Sequence, residues 1–271
     1  AGIDVVLTAN NHTGDYGRDA VIDHVNYLNK AGVIHCGAGA NVDEASKPVF
    51  VKVKNLSVAI FSVDATMKYF ASTENAAGTW YLPPKDVELW RKTFTEKISD
   101  ARKHADVVIV APHWGLPGIK EPLDYMKTLG RMLIDCGADA VLGCHSHNIQ
   151  GVEKYNERPI VYDAGNFLFE TLGGENDTGC FSLTIDRDGV KRLRFIPLRN
   201  GYGYVVPATR SRDRINKWFA DMCKALDTEV EIRNGTVEMD LNPAPRGDEP
   251  PIDRSDDELI IDPSKMEHHR I

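Results

Sequence analysis

Three short clusters carry the side chains able to do chemistry: Asn10-Asn11-His12 near the start, His113 in mid-chain, and His145-Ser146-His147 beyond it. Each stands at the end of an apolar run, over residues 4–9, 107–111 and 141–144. Neutral imidazole is the commonest protein metal ligand. Two histidines one residue apart, just past the carboxyl end of a strand, direct both rings into one crevice, where open α/β sheets bind ligands. The carboxyl ends of parallel strands share one edge, so the three clusters are expected to converge. Repetition of the arrangement favours a ligand set over three satisfied loop histidines.

Imidazoles together with a carboxamide oxygen suit borderline divalent ions, namely manganese, iron or zinc. A site for two ions also needs a bridging anion to keep the cations about 3.5–4 Å apart. Asp15 sits in the turn beyond His12 and is poorly placed to bridge, and no Asp or Glu is found at a strand end. Read from residues alone, the metal site is incomplete.

The elements that must position these clusters follow from period and punctuation. Residues 4–9 read as a buried strand with no lead-in, which makes it an edge or leaves chain expected before it. Val21, Val25 and Leu28 recur at helical spacing after the Gly14-Asp15-Tyr16-Gly17 turn. Residues 33–36 read as a short strand, and 48–54 with 56–65 as a strand pair joined at Asn55. The region 66–84, with Met67, Tyr69, Phe70, Trp80 and Tyr81, has no period; it is a loop packed on the core or a lid facing substrate. The clearest helix spans 85–105, with Val87, Trp90, Phe94, Ile98 and Ala101 on one stripe. A second helix covers 122–136, hairpins cover 152–166 and 180–198, and a last helix covers about 212–226. The first domain is thus expected over 1–241. Residues 242–271, rich in Pro and charge, read as an acidic tail that contributes little to the core, with His268 and His269 poor ligand candidates.

Length and composition set the outer bounds. A chain of 271 residues with 42% hydrophobic and 27% charged residues can bury the core of an α/β domain. Its net charge of −8 resides after position 225, where 13 acidic residues face 5 basic ones, leaving 27 of each sign elsewhere. A neutral body with an acidic tail excludes a large nucleic-acid surface. No apolar run is long enough to span a bilayer. The five cysteines, without a Cys-x-x-Cys pair, read as small buried hydrophobes and lean toward a reducing, cytoplasmic compartment.

Four collinear motifs resemble a known family. They are Ala9-Asn10-Asn11-His12 with Asp15-Tyr16-Gly17, then His113-Trp114-Gly115, then Gly143-x-His145-x-His147, then Arg158-Pro159-Ile160-Val161-Tyr162 with Gly165-Asn166-Phe167. Over about residues 1–170 the chain resembles the CapA family of poly-γ-glutamate capsule biosynthesis, which is similar to calcineurin-like metallophosphoesterases. The resemblance implies an α/β fold of the four-layer α-β-β-α sandwich type around two divalent metal ions. It makes Asn11, His113, His145 and His147 the metal ligands, His12 the residue that acts on substrate, and Asp15 the residue that orients His12. It also implies an N-terminal segment of the same domain ahead of Ala1, bearing a Gly-Asp strand, and allows association with the cell envelope. Asp163 departs from the family, where a small hydroxyl residue is usual, and an extra carboxylate there is expected to alter substrate preference.

The leading expectation is a metal-dependent hydrolase of a peptide-like or γ-glutamyl amide, or of a phosphoester, with His12 as general acid or base. A peptide epimerase would use the same site without water attack, the metals stabilising an enolate-like oxygen. A non-catalytic capsule-polymer assembly or binding component is the alternative from another class, and predicts that loss of His12 changes nothing. Product mass separates the first two.

Overall fold

Parallel strands joined by amphipathic helices, followed by long hairpins, give this chain a mixed α/β architecture. The computed structural model describes residues 2–169, 176–245 and 260–261. The chain divides into two units, the first comprising Ala1–Trp114, Asp135–Ala138 and Gly247–Ile271, the second Gly115–Ile134 and Asp139–Arg246.

In the first unit, β1 (Val5–Leu7) leads through α1 (Arg18–Lys30) to β2 (Ile34–Cys36), and the two strands pair in parallel. The short β3 (Ala38–Gly39) and α2 (Val42–Ala45) precede a hairpin of β4 (Val49–Val53) and β5 (Leu56–Asp64). After the two-residue β6 (Gly78–Thr79) come α3 (Val87–Ala101) and β7 (Val107–His113), which lies parallel to β5. The outer edge of β4 carries one more parallel strand, Ile260–Ile261, against Phe50 and Val51. Most of the expected tail, including His268 and His269, lies outside the described residues.

The stripe expected on α3 is the core of this unit. Trp90, Phe94 and Ile98 are buried, with Phe94 stacked on Trp90 at 5.5 Å and edge-on to Phe61 at 6.0 Å. Truncating a fully buried Phe to Ala costs about 3–5 kcal/mol. Asp86 caps the helix by accepting the Leu89 N–H at 3.0 Å. The 66–84 region splits between the two readings: Trp80 and Leu82 are buried, whereas Met67 and Tyr69 are exposed.

One expectation fails here. β1 does not lie beside β7 in one parallel sheet but forms a separate two-stranded sheet with β2. Its end is tied instead by polar contacts, with the Thr8 N–H and hydroxyl both donating to the Cys36 carbonyl at 2.8 Å. The Ala9 N–H donates to the Ser62 hydroxyl of β5 at 3.3 Å.

The second unit starts with α4 (Asp124–Asp135), which buries Met126, Leu129 and Leu133. Strands β8 (Ala140–Leu142), β9 (Val152–Tyr155) and β10 (Arg158–Val161) follow, with β10 central, parallel to β8 and antiparallel to β9. The long hairpin of β11 (Asn176–Asp186) and β12 (Gly189–Gly201) starts a second sheet, joined by β13 (Tyr204–Pro207). Helix α5 (Arg212–Lys224) covers it, and Phe219 stacks on Phe195 with centroids 4.0 Å apart. A hairpin unforeseen from the sequence, β14 (Glu231–Arg233) and β15 (Thr236–Asp240), completes the sheet. Of the cysteines, Cys36 and Cys223 are buried as expected, whereas Cys136, Cys144 and Cys180 are only partly so.

Candidate functional site

In the first unit, the chain leaves β1 through successive turns. The Asn10 carboxamide oxygen accepts the His12 N–H at 2.9 Å, and the Thr13 hydroxyl donates to the Thr8 carbonyl at 2.6 Å. Gly14 packs so closely on the Phe70 ring that a Cβ there would lie 2.3 Å from ring carbons, so no other residue fits without movement. This path sets Asn11 against His113, the last residue of β7, with Asn11 Oδ1 2.8 Å from His113 Nε2. The turn also sets His12 Nδ1 2.8 Å from Asp15 Oδ2, with both side chains largely open to solvent. Two expected pairings are therefore brought together, Asn11 with His113 and His12 with Asp15.

A strand-end carboxylate does exist, contrary to expectation. Asp64 ends β5 and stands in register with His113. Its side chain is fully buried and turned onto its own chain, accepting from the Thr66 N–H at 2.8 Å, the Thr66 hydroxyl at 2.5 Å and the Met67 N–H at 3.2 Å. Burial pushes its carboxyl above the usual range, which these hydrogen bonds only partly offset. Asp64 is thus committed to shaping the start of the 66–84 loop.

In the second unit, β8 ends at Leu142 and the chain bends into the His145-Ser146-His147 loop. Both histidines adopt positive φ, 129° for His145 and 61° for His147, in the region that L residues avoid. Strain of this kind costs about 1–3 kcal/mol per residue and persists only where the surroundings enforce it. Here the enforcing group is Asp163: one carboxylate oxygen accepts the Ser146 N–H at 2.5 Å, the other the Gly165 N–H at 2.8 Å. The Ser146 carbonyl in turn accepts the Gly118 N–H at 2.8 Å. Gly165 has φ 70°, and a Cβ there would meet Ile149 at 2.6 Å.

Asp163 is itself 1% exposed, and burial raises its carboxyl to about 6 against the pull of those backbone donors. It therefore faces inward, and the expected influence on substrate preference through an extra exposed carboxylate is corrected to a role in holding the histidine loop. The preceding residue is anchored too. The buried Tyr162 hydroxyl donates to Glu153 at 2.5 Å, and Arg131 pairs with the other Glu153 oxygen at 2.7 Å.

The His145 and His147 rings lie 6.4 Å apart, centroid to centroid. His147 Nδ1 is 2.7 Å from Asn166 Oδ1. An amide oxygen only accepts, so this contact puts the proton on Nδ1 and leaves Nε2 as the lone-pair nitrogen. Metal-ligating histidines are oriented in this way. Asn166 lies within the fourth motif, but an amide 19 residues beyond a histidine gives no spacing signal that would assign it this role.

The donor chemistry fits a borderline divalent ion. As it stands, His113 Nε2 donates to Asn11 Oδ1 at 2.8 Å, because an amide oxygen only accepts, so an ion held by both would take the place of that proton. The donors come as pairs, however: among the described residues no group of three or more His, Cys, Asp and Glu side chains is assembled that could hold an ion. The pair in each unit is short of the four ligands of a closed structural site.

Comparison with known proteins agrees with these motifs. A family described as "Bacterial capsule synthesis protein PGA_cap" matches residues 1–171. The chain is 28% identical over 241 residues to the PGA biosynthesis protein CapA of Bacillus subtilis (strain 168), covering 88% of this chain and 62% of that protein. It is 29% identical over 227 residues to the capsule biosynthesis protein CapA of Bacillus anthracis, covering 83% and 54%. The chain thus spans little more than half the length of these two relatives.

Proposed function

The chain belongs to the PGA_cap family of bacterial capsule synthesis proteins, and on that premise we propose that it is a metal-dependent hydrolase of a peptide-like or γ-glutamyl amide. The observation that carries the reading is the placement of Asn11 beside His113 at the end of β7, where their 2.8 Å hydrogen bond brings a carboxamide oxygen and an imidazole to a spot at which an ion could replace the shared proton. The oriented His147 supports it. In this reading Asn11, His113, His145 and His147 hold divalent metal, in a four-layer α-β-β-α sandwich of the metallophosphoesterase type. Bound metal would supply Lewis-acid polarisation of the scissile bond and a lowered pKa for water.

The remaining chemistry falls to His12 and Asp15. The Asp15 carboxylate accepts from His12 Nδ1–H, which fixes the tautomer and leaves Nε2 to take up or deliver a proton. With 70% of its side chain exposed, His12 is open to a substrate. It stands next to Asn11 without needing to be a ligand, so proton transfer and metal holding are separable.

The test compares metal content with turnover. His145→Ala and His147→Ala should lower metal stoichiometry by elemental analysis with the fold kept. His12→Ala should keep metal and lose about 10²–10⁴-fold in rate, the usual contribution of a proton-transfer group. Unchanged stoichiometry in both ligand variants would sink the metal assignment. A product of unchanged mass carrying solvent deuterium at the α-carbon would replace hydrolysis by epimerisation.

A further inference from the structure

The turn that carries His12 and Asp15 also walls a cavity of about 400 Å³ within the first unit. Asp15, Arg18 and Val21 line one side, and Tyr69 and Phe70 the other. Arg18 is held there by neutral partners, its Nη1 donating to the Ala71 carbonyl at 3.2 Å and to the Ala77 carbonyl. Carbonyls orient a guanidinium without cancelling its charge. Among the described residues no carboxylate forms an ion pair with Arg18, and the Asp15 carboxylate in the same wall is engaged by His12.

The opposite wall is aromatic and open. Tyr69 is 81% exposed, its ring edge-on to Phe70 with centroids 5.3 Å apart. A fixed guanidinium beside such a ring suits a carboxylate on a short aliphatic stem. The planar fork of donors matches the carboxylate, and the ring covers the methylenes.

The geometry points to this cavity as a carboxylate-binding pocket that seats an acidic side chain or chain end of the substrate beside His12, with Arg18 as its specificity-determining residue. The inference rests on the hydrolase reading for the substrate's approach to His12, but binding requires no turnover and can be measured apart from it.

The experiment is calorimetric titration of the full chain with a short glutamate oligopeptide and with the matching glutamine oligopeptide. The wild type should prefer the glutamate peptide by about tenfold or more, the worth of a charge-assisted hydrogen bond. Arg18→Gln keeps an N–H for the two carbonyls and removes the charge. It should lose that preference while binding the glutamine peptide as before. Tyr69→Ala, on an exposed side chain, should weaken both peptides alike.

A preference that survives in folded Arg18→Gln, or no preference in the wild type, overturns the pocket. Should Arg18→Gln fail to fold, Arg18→Lys decides, because without the planar fork it must weaken the preference. Displacement of the glutamate peptide by inorganic phosphate at lower concentration than by acetate would make this a phosphate site and overturn the carboxylate assignment. Normal hydrolysis without carboxylate preference would remove the pocket and leave the reaction. Carboxylate preference without hydrolysis would remove the reaction and leave the pocket.

Discussion

Asn11 meets His113 across 102 residues of chain, whereas His145 and His147 are separated by one. The distant pair needs little enforcement, because His113 simply ends a regular buried strand and a string of turns delivers Asn11 to it. The adjacent pair needs a great deal: two histidines at positive φ, held by one buried carboxylate on two backbone N–H groups. Closeness in sequence does not make a site easy to build. Neighbouring side chains on a short loop can share a direction only if the backbone between them is forced.

The largest expected effect tests that contrast directly. Asp163→Ala orphans two backbone donors and should destabilise the protein by about 2–6 kcal/mol in denaturant unfolding, at about 1–3 kcal/mol for each buried group left unpaired. Asn11→Ala, by comparison, should stay within about 1 kcal/mol of wild type, since it removes one partly buried contact. Similar losses in the two variants would break the comparison.

Next in size is Asn166→Ala, which should weaken metal binding by about 10–100-fold, the usual cost of removing a partner that orients a ligand. Stability should hardly change, because the contact with His147 lies at the surface. Equal metal affinity in equilibrium dialysis would remove Asn166 from the site.

A pH dependence should accompany the buried carboxylate. Folding raises Asp163 from its ordinary 3.8 to about 6, so between those values the folded protein binds more protons than the unfolded chain. The stability contributed by the protonated group is complete below pH 3.8 and is lost as pH rises through about 6. Unfolding free energies of wild type and Asp163→Asn across that range should differ in slope. Parallel curves would exclude the effect.

The smallest signal is the rate of thiol labelling. Burial pushes Cys36 in the first unit and Cys223 in the second up to about 12, so both should resist alkylation in the native state. Each then reports opening of its own unit. Asp163→Ala should speed labelling of Cys223 several-fold and leave Cys36 alone; equal acceleration would show that the carboxylate supports both.

Much of the scaffold could be read from the sequence because it follows local rules. The stripe of α3, the hairpin of β4 and β5, and the strand ending at His113 all come from period and punctuation. The β14–β15 hairpin went unread although Asn234-Gly235, whose φ values of 51° and 80° suit a tight hairpin turn, marks it. Its short, highly charged strands hid it. The inward turn of Asp163, the self-capping of Asp64 and the separate sheet of β1 depend on what lies across the fold, and no spacing encodes them.

The strand Ile260–Ile261 along β4 has a consequence for association between molecules. An uncovered strand edge is a template on which another chain can add, the usual start of β-mediated aggregation. By laying a distant stretch of its own chain against Phe50 and Val51, this protein occupies that template with itself. Solubility of the folded protein is then tied to a segment 210 positions from the strand it shields.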